Sequence, residues 1–127
     1  MSKLHLTADL GFNEGKYHVG LSLIEFEEEN VIIIYSPALD LSGYGYNQEE
    51  AKSSFSEALK EFFRYTSNKN SLKLVLENLG WLINGSKKKP RFNPPKDSEL
   101  VVNNPVYNDI VNNKSYKVSR EEVEFAF

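Results

Sequence analysis

Residues 31–66, VIIIYSPALDLSGYGYNQEEAKSSFSEALKEFFRYT, decide the fold of this chain. The run 31–35 is continuous and consists of β-branched and aromatic residues, which predicts a strand buried on both faces or nearly so. Ser36-Pro37 ends the strand, because proline lacks the amide hydrogen that a sheet ladder needs. A short extended piece follows at Leu39–Leu41, and Gly43 and Gly45 then flank Tyr44 in a loop, where glycine allows backbone angles that other residues rarely adopt.

A capped amphipathic helix follows this loop. Asn47 is a suitable N-cap, and Glu50, three residues later, completes a pair of the capping-box type. Apolar residues then recur on one face with a period of 3.6 residues, which predicts a helix that packs against a sheet. They are Ala51, Phe55, Ala58, Leu59, Phe62 and Phe63.

The remaining elements predict a single α+β domain. Alternation of apolar and polar residues indicates strands at 4–10 and 16–26, so the first three strands form an antiparallel meander. Leu72, Val75, Leu76 and Leu79 indicate a second helix that ends at Gly80, after which Trp81 should fold back onto the body. We therefore expect a meander and main helix in 1–66, a second helix in 67–83, an irregular loop region in 84–115 and a closing strand in 116–127.

These elements predict an antiparallel sheet of three to four strands with one face packed on the long helix. Residues 116–127 alternate at period two, so we expect them to extend the sheet within the monomer or across a homo-oligomer. Either arrangement would leave the opposite sheet edge free for a partner strand.

Composition indicates one small domain, and the lack of cysteine is compatible with a reducing compartment. The chain has 127 residues, 40% of them hydrophobic, and no cysteine, which excludes disulfides and thiolate chemistry. Residues 1–20 lack the apolar core of a signal peptide, and the apolar run 31–35 is far below the ~20 residues that span a bilayer. We therefore expect a cytoplasmic protein that does not enter a membrane.

The net charge of −3 is distributed unevenly. Residues 1–50 carry nine acidic and two basic residues, a net −7, whereas residues 51–100 carry ten basic and five acidic residues, a net +5. The acidic first part would repel nucleic acid and suit a small basic protein partner. The alternative is a solvated surface whose uneven charge has no specific use.

The sequence gives little support for an active site, a cofactor or a metal centre. His5 and His18 lie on predicted strands but do not have the spacing of metal ligands. Asp9 could be a third ligand only if the strands at 4–10 and 16–26 pair in a suitable register. Asp9, Asp40 and Glu50 are the carboxylates available for catalysis with divalent ions, but Asp40 and Glu50 are better explained by local alternation and capping. We therefore predict a protein without catalytic residues, cofactor or metal.

One basic cluster supports an alternative function. Lys87, Lys88, Lys89 and Arg91 could neutralise phosphates, and Trp81 and Phe92 lie near enough in sequence to offer stacking faces. The competing interpretation is a solvated, mobile loop.

The strand, loop and helix together resemble the N-terminal domain of HicB-like antitoxins over roughly residues 4–66. The resemblance is carried by Tyr35, Pro37, Leu39, Gly43 and Gly45, then Gln48, Glu49, Glu50 and Ala51, then Ala58 and Leu59. It implies a partial ribonuclease-H-like or double-stranded-RNA-binding-like α+β fold, in a domain that typically masks a small ribonuclease toxin. The chain departs from the family after Gly80, where a Pro/Asn/Lys-rich stretch stands in place of a DNA-binding segment.

The loop between strand and helix is the expected partner-binding region. Tyrosine gives a large contact area at a low cost in conformational entropy, so exposed tyrosines here would make a protein-binding edge, whereas buried ones would be core. The candidate partner-binding residues are Tyr35, Pro37, Leu39, Leu41, Tyr44 and Tyr46. We expect a non-enzymatic, antitoxin-like protein that sequesters a small basic partner; the alternative is a nucleic-acid-binding module that uses residues 87–91.

Overall fold

The computed structural model describes residues 6–126, so His5 and Phe127 lie outside the described residues. The helices are α1 (Gln48–Asn68), α2 (Leu72–Asn78), α3 (Asp97–Asn103) and α4 (Pro105–Asn113). The strands are β1 (Ala8–Asn13), β2 (Lys16–Glu28), β3 (Val31–Ser36), β4 (Leu41–Gly45), β5 (Leu82–Gly85), β6 (Pro90–Asn93) and β7 (Tyr116–Ala126). The α+β fold predicted from the sequence is confirmed.

The main sheet is antiparallel and has five strands, with β2 at its centre. β7 pairs with β2 from Lys16–Ala126 to Phe26–Tyr116, so it follows one whole edge of β2. β1 pairs with residues 16–21 of β2 and β3 pairs with residues 24–28, which places β1 and β3 on the other edge. β4 extends the sheet beyond β3. The closing strand therefore adds to the sheet within the monomer.

Two hydrophobic clusters lie on opposite faces of this sheet. On the first face, Leu21 and Leu23 of β2 pack with Phe55, Leu59 and other buried residues of α1. On the second face, Ile24 and Phe26 of β2 and Tyr35 of β3 pack with Leu100, Tyr107 and Ile110 of α3 and α4. Successive strand residues point to opposite faces, which explains why β2 is buried on both sides.

The long helix forms as its sequence predicts. The side chain of Asn47 accepts a hydrogen bond from the Glu50 amide at 2.9 Å, and the Glu50 carboxylate accepts one from the Tyr46 amide at 3.0 Å. The first bond satisfies an amide donor that the first turn leaves free, and the second fixes the residue that precedes the cap. The residues that α1 buries are Ala51, Phe55, Leu59, Phe63 and Thr66. The amphipathic stripe is therefore confirmed, with Phe62 half-buried at its margin.

The second helix also ends where the sequence predicts. Its C-cap is Leu79, and Gly80 follows with a φ of +97°, a conformation that glycine adopts without strain. Trp81 then folds back into the first cluster, where its ring N–H donates a hydrogen bond to the Ala38 carbonyl at 2.8 Å.

The expectation of an irregular region at 84–115 is wrong. β5 and β6 form a hairpin there, and α3 and α4 cover part of the second sheet face. Asn104 caps α4 by accepting a hydrogen bond from the Tyr107 amide at 3.1 Å, and Pro105 occupies the first turn. Each helix is shorter than three turns, so its apolar period was too short to recognise among the asparagines.

Candidate functional site

The position of β4 under α1 determines which loop residues are exposed. An added Cβ on Gly43 would lie 2.2 Å from the Phe55 backbone nitrogen, and one on Gly45 would lie 2.4 Å from that of Ala51. The helix therefore packs directly on the strand backbone, which only glycine allows. Tyr44 pairs with Ile33 and points to the opposite face, away from α1.

The structure divides the six predicted partner-binding residues into two groups. Tyr35, Pro37 and Leu39 are buried, and Leu41 is half-buried. Tyr44 is 57% exposed and Tyr46 is 81% exposed. The side chains of Tyr35, Pro37 and Leu39 are enclosed by the domain itself, so Tyr44 and Tyr46 are the members of the predicted set that present most of their surface to solvent.

Tyr35 instead joins the sheet to the helices α3 and α4 on its second face. Its hydroxyl donates a hydrogen bond to Asp40 at 2.6 Å and accepts one from the Asn104 amide at 2.7 Å. Burial raises the pKa of Tyr35, and the hydrogen bond to Asp40 raises it further. Asn104 also caps α4, so one side chain connects β3 with the start of that helix.

The two exposed tyrosines lie next to half-buried aliphatic residues. Val31 and Ile33 of β3 are half-buried and share the second sheet face with Tyr44, and Tyr46 is the first residue after β4. We call Val31, Ile33, Tyr44 and Tyr46 the tyrosine patch. Sequence reasoning missed Val31 and Ile33, because a continuous apolar run does not show which of its residues will be left uncovered.

An acidic turn borders the tyrosine patch. Glu27, Glu28 and Glu29 are exposed at the turn between β2 and β3. Glu27 pairs with Ile32 and Ile32 pairs with Gly45, so the acidic turn and the end of β4 lie at the same end of the sheet. Lys114 donates a hydrogen bond to Glu28, and this bond raises the pKa of Lys114. Of the three glutamates, only Glu28 is in an ion pair within residues 6–126.

The basic cluster lies on the hairpin of β5 and β6. Lys87, Lys88 and Lys89 form its tip and Arg91 lies on β6; all four are exposed, and none is in an ion pair within the described part of the chain. The expected stacking aromatics are not available, because Trp81 is buried in the first cluster and Phe92 is half-buried against it.

The candidate carboxylates and histidine are engaged with different groups. Asp9 forms an ion pair with Arg120, Asp40 accepts from Tyr35, and Glu50 caps α1. His18 Nδ1 lies 3.1 Å from a carboxylate oxygen of Glu124. Among residues 6–126, no group of three or more histidine, aspartate or glutamate side chains is arranged to hold a metal ion.

A cleft of about 490 Å³ lies between the end of α2 and the helices α3 and α4. Asp40, Glu77 and Glu99 give it an acidic lining, and Leu79 and Leu100 contribute apolar surface. The cleft is a second place where a positively charged group could enter, but the Asp40 carboxylate already accepts a hydrogen bond from Tyr35.

The described residues include no helix with both the length and the apolar character needed to cross a bilayer. Comparison of the chain with protein-family models, with curated proteins and with solved structures found no match. The tyrosine patch and the acidic turn are therefore the features from which a function can be proposed.

Proposed function

We propose that this chain is a non-enzymatic, HicB-like antitoxin-type protein of the cytoplasm that binds a small basic protein, such as a ribonuclease toxin, through the tyrosine patch. The observation that carries the proposal is the pair of exposed tyrosines, Tyr44 and Tyr46, at the same end of the sheet as three exposed glutamates. The proposal also supposes that the domain is a partial ribonuclease-H-like fold.

The chemistry of this surface suits a basic protein partner. Tyrosine rings give a large, rigid contact area, and their faces attract the lysine and arginine side chains of a partner. Glutamates at the margin attract a basic surface over a longer range and increase the association rate. An acidic margin repels nucleic acid, so the same surface discriminates between a basic protein and RNA or DNA.

The local structure agrees with the family resemblance in one physical respect. Gly43 and Gly45, which belong to the resembling motif, lie where α1 contacts the β4 backbone. That contact holds β4 in place with Tyr44 directed outward. The motif therefore supports presentation of the tyrosine patch, which is a reason for glycine at these positions that does not depend on the family.

The proposal is tested by affinity purification of the tagged protein from native cells, with mass spectrometry of the proteins recovered. We expect the wild-type chain to recover a short basic protein, encoded by the adjoining reading frame, and the double variant Tyr44→Ala, Tyr46→Ala to lose it. The matched control is Tyr65→Ala on α1, since Tyr65 is 62% exposed and lies outside the patch. Equal recovery by the double variant and the wild type would refute the role of the patch.

Nucleic-acid binding is the second candidate, and one observation favours it. Lys87, Lys88, Lys89 and Arg91 are exposed around one hairpin tip without ion-pair partners in residues 6–126. If the hairpin binds nucleic acid, changing the three lysines to alanine should abolish retention on a polyanion column at low salt. At about 150 mM salt we expect little retention even for the wild type, because four charges on a hairpin without stacking aromatics are largely screened there.

A further inference from the structure

The outer edge of β7 over residues 116–122 pairs with no other strand of the described residues 6–126. β7 runs for 11 residues and pairs with β2 alone among the strands of residues 6–126. The other end of the sheet is different, because α1 covers β4: the Tyr44 amide donates to the Ser54 hydroxyl at 3.0 Å. The Tyr44 amide is therefore not available to a partner strand at that end, whereas residues 116–122 of β7 have an outer edge that pairs with no strand of residues 6–126.

Charged residues on β7 restrict what can pair with this edge. The strand reads YKVSREEVEFA from Tyr116 to Ala126, with two basic and three acidic residues. Charges on an edge strand usually prevent edge-to-edge pairing. A partner strand must therefore place opposite charges across from each other, since like charges directly opposite are destabilising.

A second copy of β7 satisfies this requirement in one antiparallel register. A two-fold axis perpendicular to the sheet puts the same face of both copies on the same side of the joined sheet. Residues that lie opposite each other must then point to the same face, so their numbers differ by an even number and the axis passes through one residue. Centring on Arg120, Glu121 or Glu122 places a charged residue opposite its own copy. Centring on Ser119 instead places Lys117 opposite Glu121 of the second copy.

The register centred on Ser119 creates two symmetric Lys117–Glu121 pairs and no pair of like charges over residues 116–122. Lys117 and Ser119 are exposed and Glu121 is half-buried, so Lys117 and Ser119 are free to meet a neighbouring strand. Glu121 accepts a hydrogen bond from Ser56 at 3.3 Å, and its second carboxylate oxygen is not used in that bond.

We propose that two copies of this chain associate edge to edge through β7, antiparallel and centred on Ser119, so that the two five-stranded sheets become one. The dimer surface lies at the opposite end of the strand order from β4, and it leaves the tyrosine patch of each copy accessible. This inference is independent of the proposed partner, and either can fail without the other.

Charge reversal combined with sedimentation velocity tests the register. The wild-type chain should show a concentration-dependent monomer–dimer equilibrium. Lys117→Glu and Glu121→Lys should each weaken the dimer by about tenfold or more, because both symmetric pairs become repulsive. Mixing these two variants should restore dimers, since each Glu at 117 then faces a Lys at 121. Lys88→Glu on the basic hairpin is the matched control and should dimerise like the wild type.

Thermal melts of each variant separate dissociation from unfolding, and restoration on mixing requires both chains to be folded. A wild type that remains monomeric at the highest concentration tested would overturn the proposal. Dimers that persist in Lys117→Glu, or that do not form when the two variants are mixed, would overturn the register and with it the assignment of the interface to β7.

Discussion

Replacing Gly43 with alanine should separate α1 from β4. The new Cβ would lie 2.2 Å from the Phe55 backbone nitrogen and 2.5 Å from its Cα, whereas ordinary contacts begin at 3.4 Å. The shortfall is about 1.2 Å, and both obstructing groups are backbone, so no side-chain rotation relieves it. The helix must therefore move outward at Phe55, which is fully buried at the centre of the first cluster.

The size of the effect follows from this displacement. A gap of roughly 0.5–1 Å removes about a quarter to a half of the dispersion energy at each contact. Overpacking in a well-packed core usually costs about 1–3 kcal/mol and occasionally more. Because the displaced element is the main helix, we expect Gly43→Ala to lower the free energy of unfolding by about 3 kcal/mol, out of roughly 5–15 kcal/mol for a domain of this kind.

Urea denaturation followed by the fluorescence of Trp81 measures this change, since Trp81 is the single tryptophan and is buried. Gly11→Ala is the matched control: a Cβ at Gly11 would meet no atom within 4 Å, and its stability should change by less than about 1 kcal/mol. If both variants unfold at the same urea concentration as the wild type, α1 does not rest on the β4 backbone, and the explanation for the two motif glycines fails.

Three further predictions concern the first hydrophobic cluster, the hydrogen bonds of Tyr35 and the ladder between β2 and β7. Phe55→Asp should leave the chain unfolded in a thermal melt, because a charge in the first cluster costs several kcal/mol; a melting temperature near that of the wild type would contradict this. Tyr35→Phe should lower stability by about 1–3 kcal/mol in urea, since Asp40 and Asn104 each lose a partner. Because the pKa of Tyr35 is raised in the folded state, its phenol stays protonated above the usual pKa of 10.0, whereas the phenol of the unfolded chain ionises there. The free energy of unfolding should therefore fall as pH rises beyond that value, and it should fall less steeply in Tyr35→Phe. Deleting residues 121–127 should destabilise the fold, because it removes half of the β2–β7 ladder; wild-type stability of the truncated chain in the same melt would show that the ladder contributes little.

The sequence alone determined the elements that depend on neighbours a few residues apart. The apolar period of α1 and its Asn47–Glu50 cap both lie within one helix, so the helix could be predicted to within one turn. The turns between β1, β2 and β3 are short, which made the meander predictable. Gly80 as a helix stop is local in the same way.

Only the tertiary structure decided which loop residues are available to a partner. Tyr35 and Tyr44 are the same residue type in the same segment, yet one is covered by α3 and α4 and the other is not. That difference depends on residues 97–113, whose two short helices carry too few apolar repeats to be recognised. The exposure of Tyr44 further depends on contact between β4 and α1 at Gly43 and Gly45. To predict that contact, one must know the distance between the two backbones, which the sequence does not contain.

The free sheet edge was also decided by long-range pairing. β7 joins β2 across about a hundred residues of sequence, and nothing local in either strand specifies which edge of the sheet it takes. Alternation at 116–126 predicts a strand but not its neighbours. The order of charges along β7 can be compared with a partner strand only once the structure shows which of its two edges is unpaired. Charges on two strands are complementary only in a given register, and the register depends on which strands are neighbours.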